Sequence, residues 1–456
     1  MPSVIIFFFL RCRSQDELQV HNKLAAQATR GDAMSTTPSS PTPTSPEASH
    51  ARSIVFLGRE RSPIFVTEST RLPTTLAPGQ VLVLVELATI CGWDVQTLSG
   101  TLLGGTPSRG TTADDHPCVL GHEGCGVVVR SHREGVSVGD RVTWGICAPC
   151  GTCLPCSLHL NNKCTSVVKL GQTLVSSVAL FGTYSTHLLC LPNTPIVALP
   201  PDLTPTLAAP INCALATMVN ALSKLPPTPT PGQPGASVAL VQGAGLMGVY
   251  CLALLKERGF RKVFCVDLSR TRLARAAEFG AVALHPDNEE ELIQTDSVDV
   301  VFEVCGNKQV LSRGVRALRA GGTYVLAGLV HSNSHMNISA QDLIVKCLTV
   351  VGVHNYSQQH LQEAVRFLLH HHHKYPFHAL LGPSYSLSDF RGRWNRVSAS
   401  NGHTYFHDSL GPSYLLLKLF MVVVSNTSLS INCLCPVESS EYLIRHNHVS
   451  YGSPLL

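Results

Sequence analysis

Two kinds of hydrophobic patterning follow one another along the chain. Val81–Ala88 (VLVLVELA) and Gly126–Val129 are short runs rich in β-branched residues, set apart by Gly and Pro, and they predict a β-rich first region. The pattern changes after about residue 213. Ser237–Gln242, Lys262–Leu268, Val298–Val304 and Thr323–Gly328 are short apolar runs, and the helix-like stretches Leu246–Arg258 and Arg272–Phe279 lie between the first of them. Strands alternating with helices predict βαβ units and a parallel sheet covered on both faces. Leu225–Gly235 (LPPTPTPGQPG) is a Pro-rich loop just before the first of these strands. From about Phe390 the alternation dissolves into Ser, Asn and His with stray apolar runs. Leu415–Val424 contains Lys418 and is too short to cross a bilayer.

Length agrees with two domains, since 456 residues exceed what one core usually supports. Hydrophobic residues make up 44% and charged residues 14%, which is ample material for buried sheets. The formal charge of +4 comes from scattered basic residues, not the footprint of a nucleic-acid binder. At the N-terminus, Val4–Leu10 is apolar but short for a signal-peptide core and has no clear cleavage site after it. Residues 35–49 are a Ser/Thr/Pro tract that cannot bury a core, so 1–51 is expected to be a disordered extension, with Met34 an alternative start. The expected location is the cytoplasm, with no membrane or nucleic-acid partner.

Of the seventeen cysteines, Cys150, Cys153, Cys156 and Cys164 form one regularly spaced cluster. Four thiolates at that spacing wrap one tetrahedral Zn²⁺ closed to water, a structural site. Cys147 lies just outside the spacing and reads as a spare thiol. Gly243-Ala-Gly245-Leu246-Met247-Gly248 follows an apolar strand and opens an apolar helix, and Asp267 comes about twenty residues later. Alone the glycine pattern is weak; in this context it is a dinucleotide fingerprint, with the pyrophosphate on the helix N-terminus. Asp267 would accept from the ribose hydroxyls and repel a 2′-phosphate, favouring NAD over NADP. A third signal is dispersed: Cys91-Gly-Trp-Asp94, Gly121-His122-Glu123, and Cys213 in Ile-Asn-Cys-Ala-Leu-Ala-Thr. Two thiolates and one imidazole are a set that leaves a fourth zinc position open. The run His370–His373 reads as the solvated end of a helix and not as a metal site, because consecutive helical residues point in different directions.

With these motifs in this order, residues 52–389 resemble the medium-chain zinc-dependent alcohol dehydrogenases, whose relatives include polyol and threonine dehydrogenases. The resemblance implies an α/β fold: a GroES-like catalytic domain over 52–213, completed by about 353–389, and a Rossmann domain over 214–352. The tail 390–456 falls outside it. It further implies Cys91, His122 and Cys213 on a catalytic zinc, Asp94 orienting His122, and Glu123 as an alternative ligand. Thr217 would lie near the nicotinamide and Arg272 on the adenosine side. The implied activity is hydride transfer between a small alcohol, or its carbonyl in reverse, and NAD, with two zincs per chain, in a homodimer or tetramer. Three features depart from the family. Trp93 stands where many relatives carry a relay hydroxyl, Gln96 where several carry His, and no closing strand follows Ala379–Asp389. Two other readings stay open: an NAD- and zinc-binding pseudoenzyme, and a zinc-independent, quinone-reductase-like enzyme.

Overall fold

The β-branched runs of the first region fold into one antiparallel sheet, in a computed structural model that describes residues 5–11, 49–59, 63–94, 117–172, 180–226, 237–288, 292–330, 334–336, 338–380, 386–390 and 416–422. In chain order the strands of the first region are β1 (Ile5–Arg11), β2 (His50–Arg59), β3 (Pro63–Arg71), β4 (Val81–Thr89), β5 (Cys118–Val119), β6 (Glu123–Ser131), β7 (Arg141–Trp144), β8 (Cys147–Ala148), β9 (Val168–Lys169), β10 (His187–Cys190) and β11 (Ile196–Ala198). The main sheet runs β11-β7-β6-β4-β1 and ends on β18 (Leu416–Val422), while β3-β2-β5 and β8-β9 form smaller sheets. β4 is buried at eight of its nine positions, which is why it reads as a continuous apolar run and not as an alternating one. One of its edges is shared. β10 pairs with Val81–Leu84, and β1 pairs with Leu87 and Thr89.

Two expectations need correction here. β1 lies inside the segment expected to be disordered, because its apolar run has the composition of a strand and β4 offers it an edge. β2 also starts at His50, ahead of the expected boundary at 52; the Ser/Thr/Pro tract itself lies outside the described residues, apart from Ser49. The tail is not wholly patternless either, since β18 pairs antiparallel with β1. Upstream of it, Leu387 and Phe390 are buried with first-region residues, Phe390 against the rings of Phe65 and Tyr184, both at 5.2 Å.

The second region holds a six-stranded parallel sheet of β12 (Val238–Gln242), β13 (Lys262–Val266), β14 (Val282–Leu284), β15 (Val298–Glu303), β16 (Leu318–Leu326) and β17 (Thr349–Gly352). Its order, β14-β13-β12-β15-β16-β17, is the doubly wound dinucleotide-binding topology, so the chain is α/β. Helices α1 (Leu154–Ser157), α2 (Pro205–Ala208) and α3 (Ala216–Leu222) precede this sheet. α4 (Leu246–Glu257), α5 (Arg270–Glu278), α6 (Leu311–Ala317), α7 (Ala340–Val345) and α8 (Gln358–His371) accompany it. Strand order reverses about β12, so a crevice opens beyond its C-terminal end, where the glycine turn begins. α4 is buried almost all round, consistent with its lack of a polar face. Among the described residues one helical stretch, Pro205–Leu222, is long and apolar enough to cross a membrane, and it is 78% buried inside the protein, as a core helix is.

α8 is amphipathic, with Leu361, Ala364, Val365 and Leu368 buried, and it ends at His371. The helical-direction argument therefore covers His370, His371 and, through its helical backbone angles and its N–H bond to the Leu368 carbonyl, His372, but not His373, which lies in the turn that follows.

Candidate active site

The dispersed Cys91, His122 and Cys213 come together. With Glu123 they offer four ligand atoms that all lie within 4.8 Å of one another. They arrive on three separate pieces of backbone. Cys91 follows β4 in a turn closed by Asp94, whose Oδ2 accepts the Cys91 N–H at 2.9 Å. His122 and Glu123 stand at the start of β6, and Cys213 sits in a π-helical turn, Ile211–Leu215, ahead of α3. Such turns are rare and concentrate at functional sites. The two sulfurs are 3.9 Å apart.

Asp94 is held from two sides, since Tyr184 also donates its hydroxyl to Oδ2 at 3.0 Å. That leaves Oδ1 facing His122 Nδ1 at 3.8 Å, while Glu123 Oε1 faces His122 Nε2 at 3.9 Å. Thr89 donates to the other oxygen of Glu123. Burial pushes the Asp94 carboxyl up to about 6, although the His122 charge opposes it. Burial likewise pushes Glu123 well above the usual carboxyl range. For His122 burial works against the charged ring, but Asp94, Cys91 and Glu123 outweigh it and raise the imidazole to about 10. The hydrogen bond between the thiols lowers Cys91 and raises Cys213. Asp94 Oδ1, His122 Nδ1 and Glu123 Oε1 are buried with no hydrogen-bond partner. Buried groups of this kind are costly unless something pairs them. A soft–borderline donor set with unpartnered buried atoms fits a divalent zinc ion.

Asn212 was not recognisable as a functional residue from the sequence, although it precedes Cys213. Its amide donates to the carbonyls of His122 at 3.1 Å and Trp144 at 2.8 Å, and accepts the Gly124 N–H at 3.2 Å. Tyr356 donates to its backbone carbonyl. Asn212 thus fixes the Cys213 turn against the His122 strand. Asn212→Ala removes three buried hydrogen bonds, although the His122 carbonyl keeps the Trp144 indole N–H at 3.2 Å, so it should cost about 2–4 kcal/mol of stability and lower zinc retention during dialysis. Urea titration and metal analysis of the variant check this; unchanged zinc retention would refute the positioning role.

The sulfurs of Cys150, Cys153, Cys156 and Cys164 form the second cluster, again within 4.8 Å of one another. Backbone N–H groups of Cys150 and Ser166 point at the Cys164 sulfur at 3.2 and 3.4 Å. Hydrogen bonds led by the Thr165 backbone bring Cys153 down to about 6, while burial and Cys153 push Cys156 up to about 12. Around them, among the described residues, the lobe has only the four-residue α1, a three-residue 3₁₀ turn and the β8-β9 ribbon. So small a lobe lacks a core of its own, and the four sulfurs fit a structural zinc in its place. Cys147, in β8, is buried and outside the cluster.

The glycine turn lies at the C-terminal end of β12. Gly243 has φ +114°, and a Cβ there would come 2.8 Å from the Cys305 side chain. Gly245 caps α4, whose first residues are Leu246, Met247 and Gly248. Asp267 ends the next strand, where its Oδ2 accepts the Ala244 N–H at 2.8 Å and its Oδ1 the Ser269 N–H at 2.8 Å. Arg272 pairs with Asp267 Oδ2 at 3.3 Å, so these two expected cofactor contacts face each other. Thr217 is buried in α3, just over a turn beyond Cys213. Trp93 stands edge-on to the His122 ring, centroids 6.1 Å apart, and packs against the first-region core. Gln96 and the loop before Pro117 lie outside the described residues.

The chain is similar to known proteins. The alcohol dehydrogenase GroES-like domain model matches residues 77–201, and the zinc-binding dehydrogenase model matches 247–370. A probable D-xylulose reductase A of Aspergillus fumigatus is 30% identical over 305 residues, 63% of this chain and 78% of the relative. A 5-exo-hydroxycamphor dehydrogenase of Pseudomonas putida is 27% identical over 340 residues, 69% of this chain and 87% of the relative. The crystal structure of an alcohol dehydrogenase from Thermotoga maritima superposes with a TM-score of 0.66 at 22% identity, covering 77% of this chain and 97% of that one.

Proposed function

From the premise that this chain belongs to the zinc-type medium-chain dehydrogenases/reductases, hydride-transfer oxidoreductases that use zinc and a nicotinamide cofactor, we propose that it oxidises a small or flat alcohol with NAD⁺, or reduces the carbonyl, as a two-zinc enzyme. The observation that carries this reading is the convergence of Cys91, His122, Glu123 and Cys213 with three unpartnered buried atoms among them and Asp94. Cys91, His122 and Cys213 would hold the catalytic zinc, with Glu123 as an alternative ligand. Cys150, Cys153, Cys156 and Cys164 would hold the structural one. When bound, zinc supplies Lewis acidity at the alcohol oxygen, and the nicotinamide accepts the hydride.

The chain's own residues do the positioning. Tyr184 and the Cys91 N–H hold Asp94, which faces His122 and keeps its ring turned toward the cluster. Trp93 walls one side. Its indole N–H donates but accepts nothing, so the substrate proton leaves through water or another side chain. At the cofactor end, Gly243–Gly248 frees the N-terminus of α4 for the pyrophosphate. Asp267 accepts three hydrogen bonds already, which leaves roughly one lone pair for a ribose hydroxyl. Its charge, partly offset by Arg272, disfavours a 2′-phosphate.

A homodimer or homotetramer is part of the proposal. It is supported by the edge strand β17 and by exposed Ile344 and Val345 beside it, 73% and 72% accessible.

The test is metal analysis beside NADH formation on a panel of primary, secondary and polyol alcohols. Expected are two zincs per chain and turnover favouring NAD⁺ over NADP⁺ by about tenfold or more. Full zinc content without turnover on any alcohol would make this a binding protein. Turnover that survives zinc removal would point to quinone-reductase-like chemistry.

A further inference from the structure

The histidine run is the motif that hydride transfer leaves unused. His372 and His373 leave the end of α8, and their rings lie 3.6 Å apart. With His378 they line one open cavity of about 520 Å³, on which His370 does not border. Proton positions follow from the partners. A carbonyl only accepts, and His372 Nδ1 lies 3.0 Å from the Leu369 carbonyl and 3.2 Å from that of Leu368. Nδ1 therefore carries the hydrogen, and the free lone pair is on Nε2. A ring that donates one N–H to a backbone carbonyl and presents the other nitrogen is the usual state of a metal-ligating histidine. Lys374 borders the same cavity, but its Nζ is 2.6 Å from Glu257, which also accepts from the Tyr375 hydroxyl at 2.5 Å and faces His371 Nδ1 at 3.3 Å. That ammonium is thus paired away from the imidazoles.

We propose that His372, His373 and His378 form a surface site for a borderline divalent transition metal such as Ni²⁺ or Zn²⁺, separate from both cysteine-containing clusters. Neutral imidazoles suit such ions and disfavour Mg²⁺ or Ca²⁺. The three rings are not drawn together within 4.8 Å as the cysteine clusters are. His372 is anchored, and ion binding requires the exposed rings of His373 and His378 to turn toward it. The site is independent of the hydride-transfer reading.

The experiment is calorimetric titration of NiCl₂ into the full, tag-free chain, dialysed until only the two cysteine-held zincs remain, with zinc release and near-ultraviolet sulfur-to-nickel absorption followed in parallel. A single saturable Ni²⁺ site is expected, with no zinc released and no sulfur band. Its affinity should fall at least about tenfold in His372→Gln and in His378→Gln, and stay unchanged in His370→Gln. Equal weakening in all three variants would mean that the run binds as an unstructured tag and would overturn the site. Absence of saturable binding, or a sulfur band with released zinc, would overturn it too.

Discussion

Replacing Cys91 by Ser should lower the zinc content of the purified chain from two ions to one and reduce kcat/KM by about a thousandfold, equivalent to about 4 kcal/mol of transition-state stabilisation. Serine keeps the volume but offers a neutral hydroxyl in place of a thiolate. Cys91 is the thiol that its surroundings already favour as the anion, and its N–H anchors Asp94 through the backbone, which the substitution preserves. Folding should therefore survive. The remaining zinc belongs to the Cys150–Cys164 lobe, so Cys150→Ser should also lose one ion, but with a different consequence: a loosened lobe, susceptible to proteolysis, and a catalytic cluster still able to bind metal. Metal analysis of both variants and of the double variant separates the sites. A Cys91→Ser chain that keeps both zincs would remove Cys91 from the ligand set, and one that loses zinc but keeps full activity would remove zinc from the chemistry.

The legible parts of this molecule are those whose cause is local. The four-cysteine cluster spans fifteen positions of chain, so its spacing alone announces a metal. β12 and α4 flank the glycine turn within one βαβ unit, and their apolar runs match the observed elements to within a residue or so at each end. β17 escaped notice because its four residues form an edge strand with no fully buried position, and the apolar run around it, Leu348–Val353, is broken by Thr349 and Gly352. The catalytic cluster was legible only as an ordered series of motifs. Nothing local joins Cys91 to Cys213, 122 residues away. Its supports were invisible for the same reason: Tyr184 reaches Asp94 across 90 residues, and Asn212 reaches His122 across 90 more. A Tyr or Asn in an apolar stretch has no periodic signature, and only the fold assigns it a partner. The histidine run went differently. The helical rule applied to it is sound, but the helical backbone ends one residue before the run does.

Gly248→Ala should abolish tight NADH binding while leaving both zinc ions in place. A Cβ at this position would come 1.9 Å from the Gly243 carbonyl oxygen and 2.9 Å from its carbon. Neither atom belongs to a side chain that can rotate away. An ordinary contact needs about 3.4 Å, so the first turn of α4 or the Gly243 turn must move by roughly 1.5 Å. α4 has little room to yield, because Leu246, Val249, Tyr250, Leu252 and Leu255 are buried around it. Gly243 cannot follow, since it holds φ +114° against Cys305. The strain should cost about 2–3 kcal/mol or more. It falls on the helix N-terminus that would receive the pyrophosphate and on the Ala244 N–H that holds Asp267. Fluorescence titration with NADH should show affinity lower by about a hundredfold. Gly259→Ala, at the other end of the same helix, makes a fair control: its Cβ would meet nothing within 4 Å and its φ is +89°, so it should lose about 1–2 kcal/mol of stability without changing NADH affinity. Equal NADH affinity in the Gly248 variant would mean that the turn does not carry the phosphates. Loss of zinc along with the cofactor would mean instead that the substitution unfolds the chain, and Gly248→Ser at low temperature would then show whether any folded fraction binds NADH.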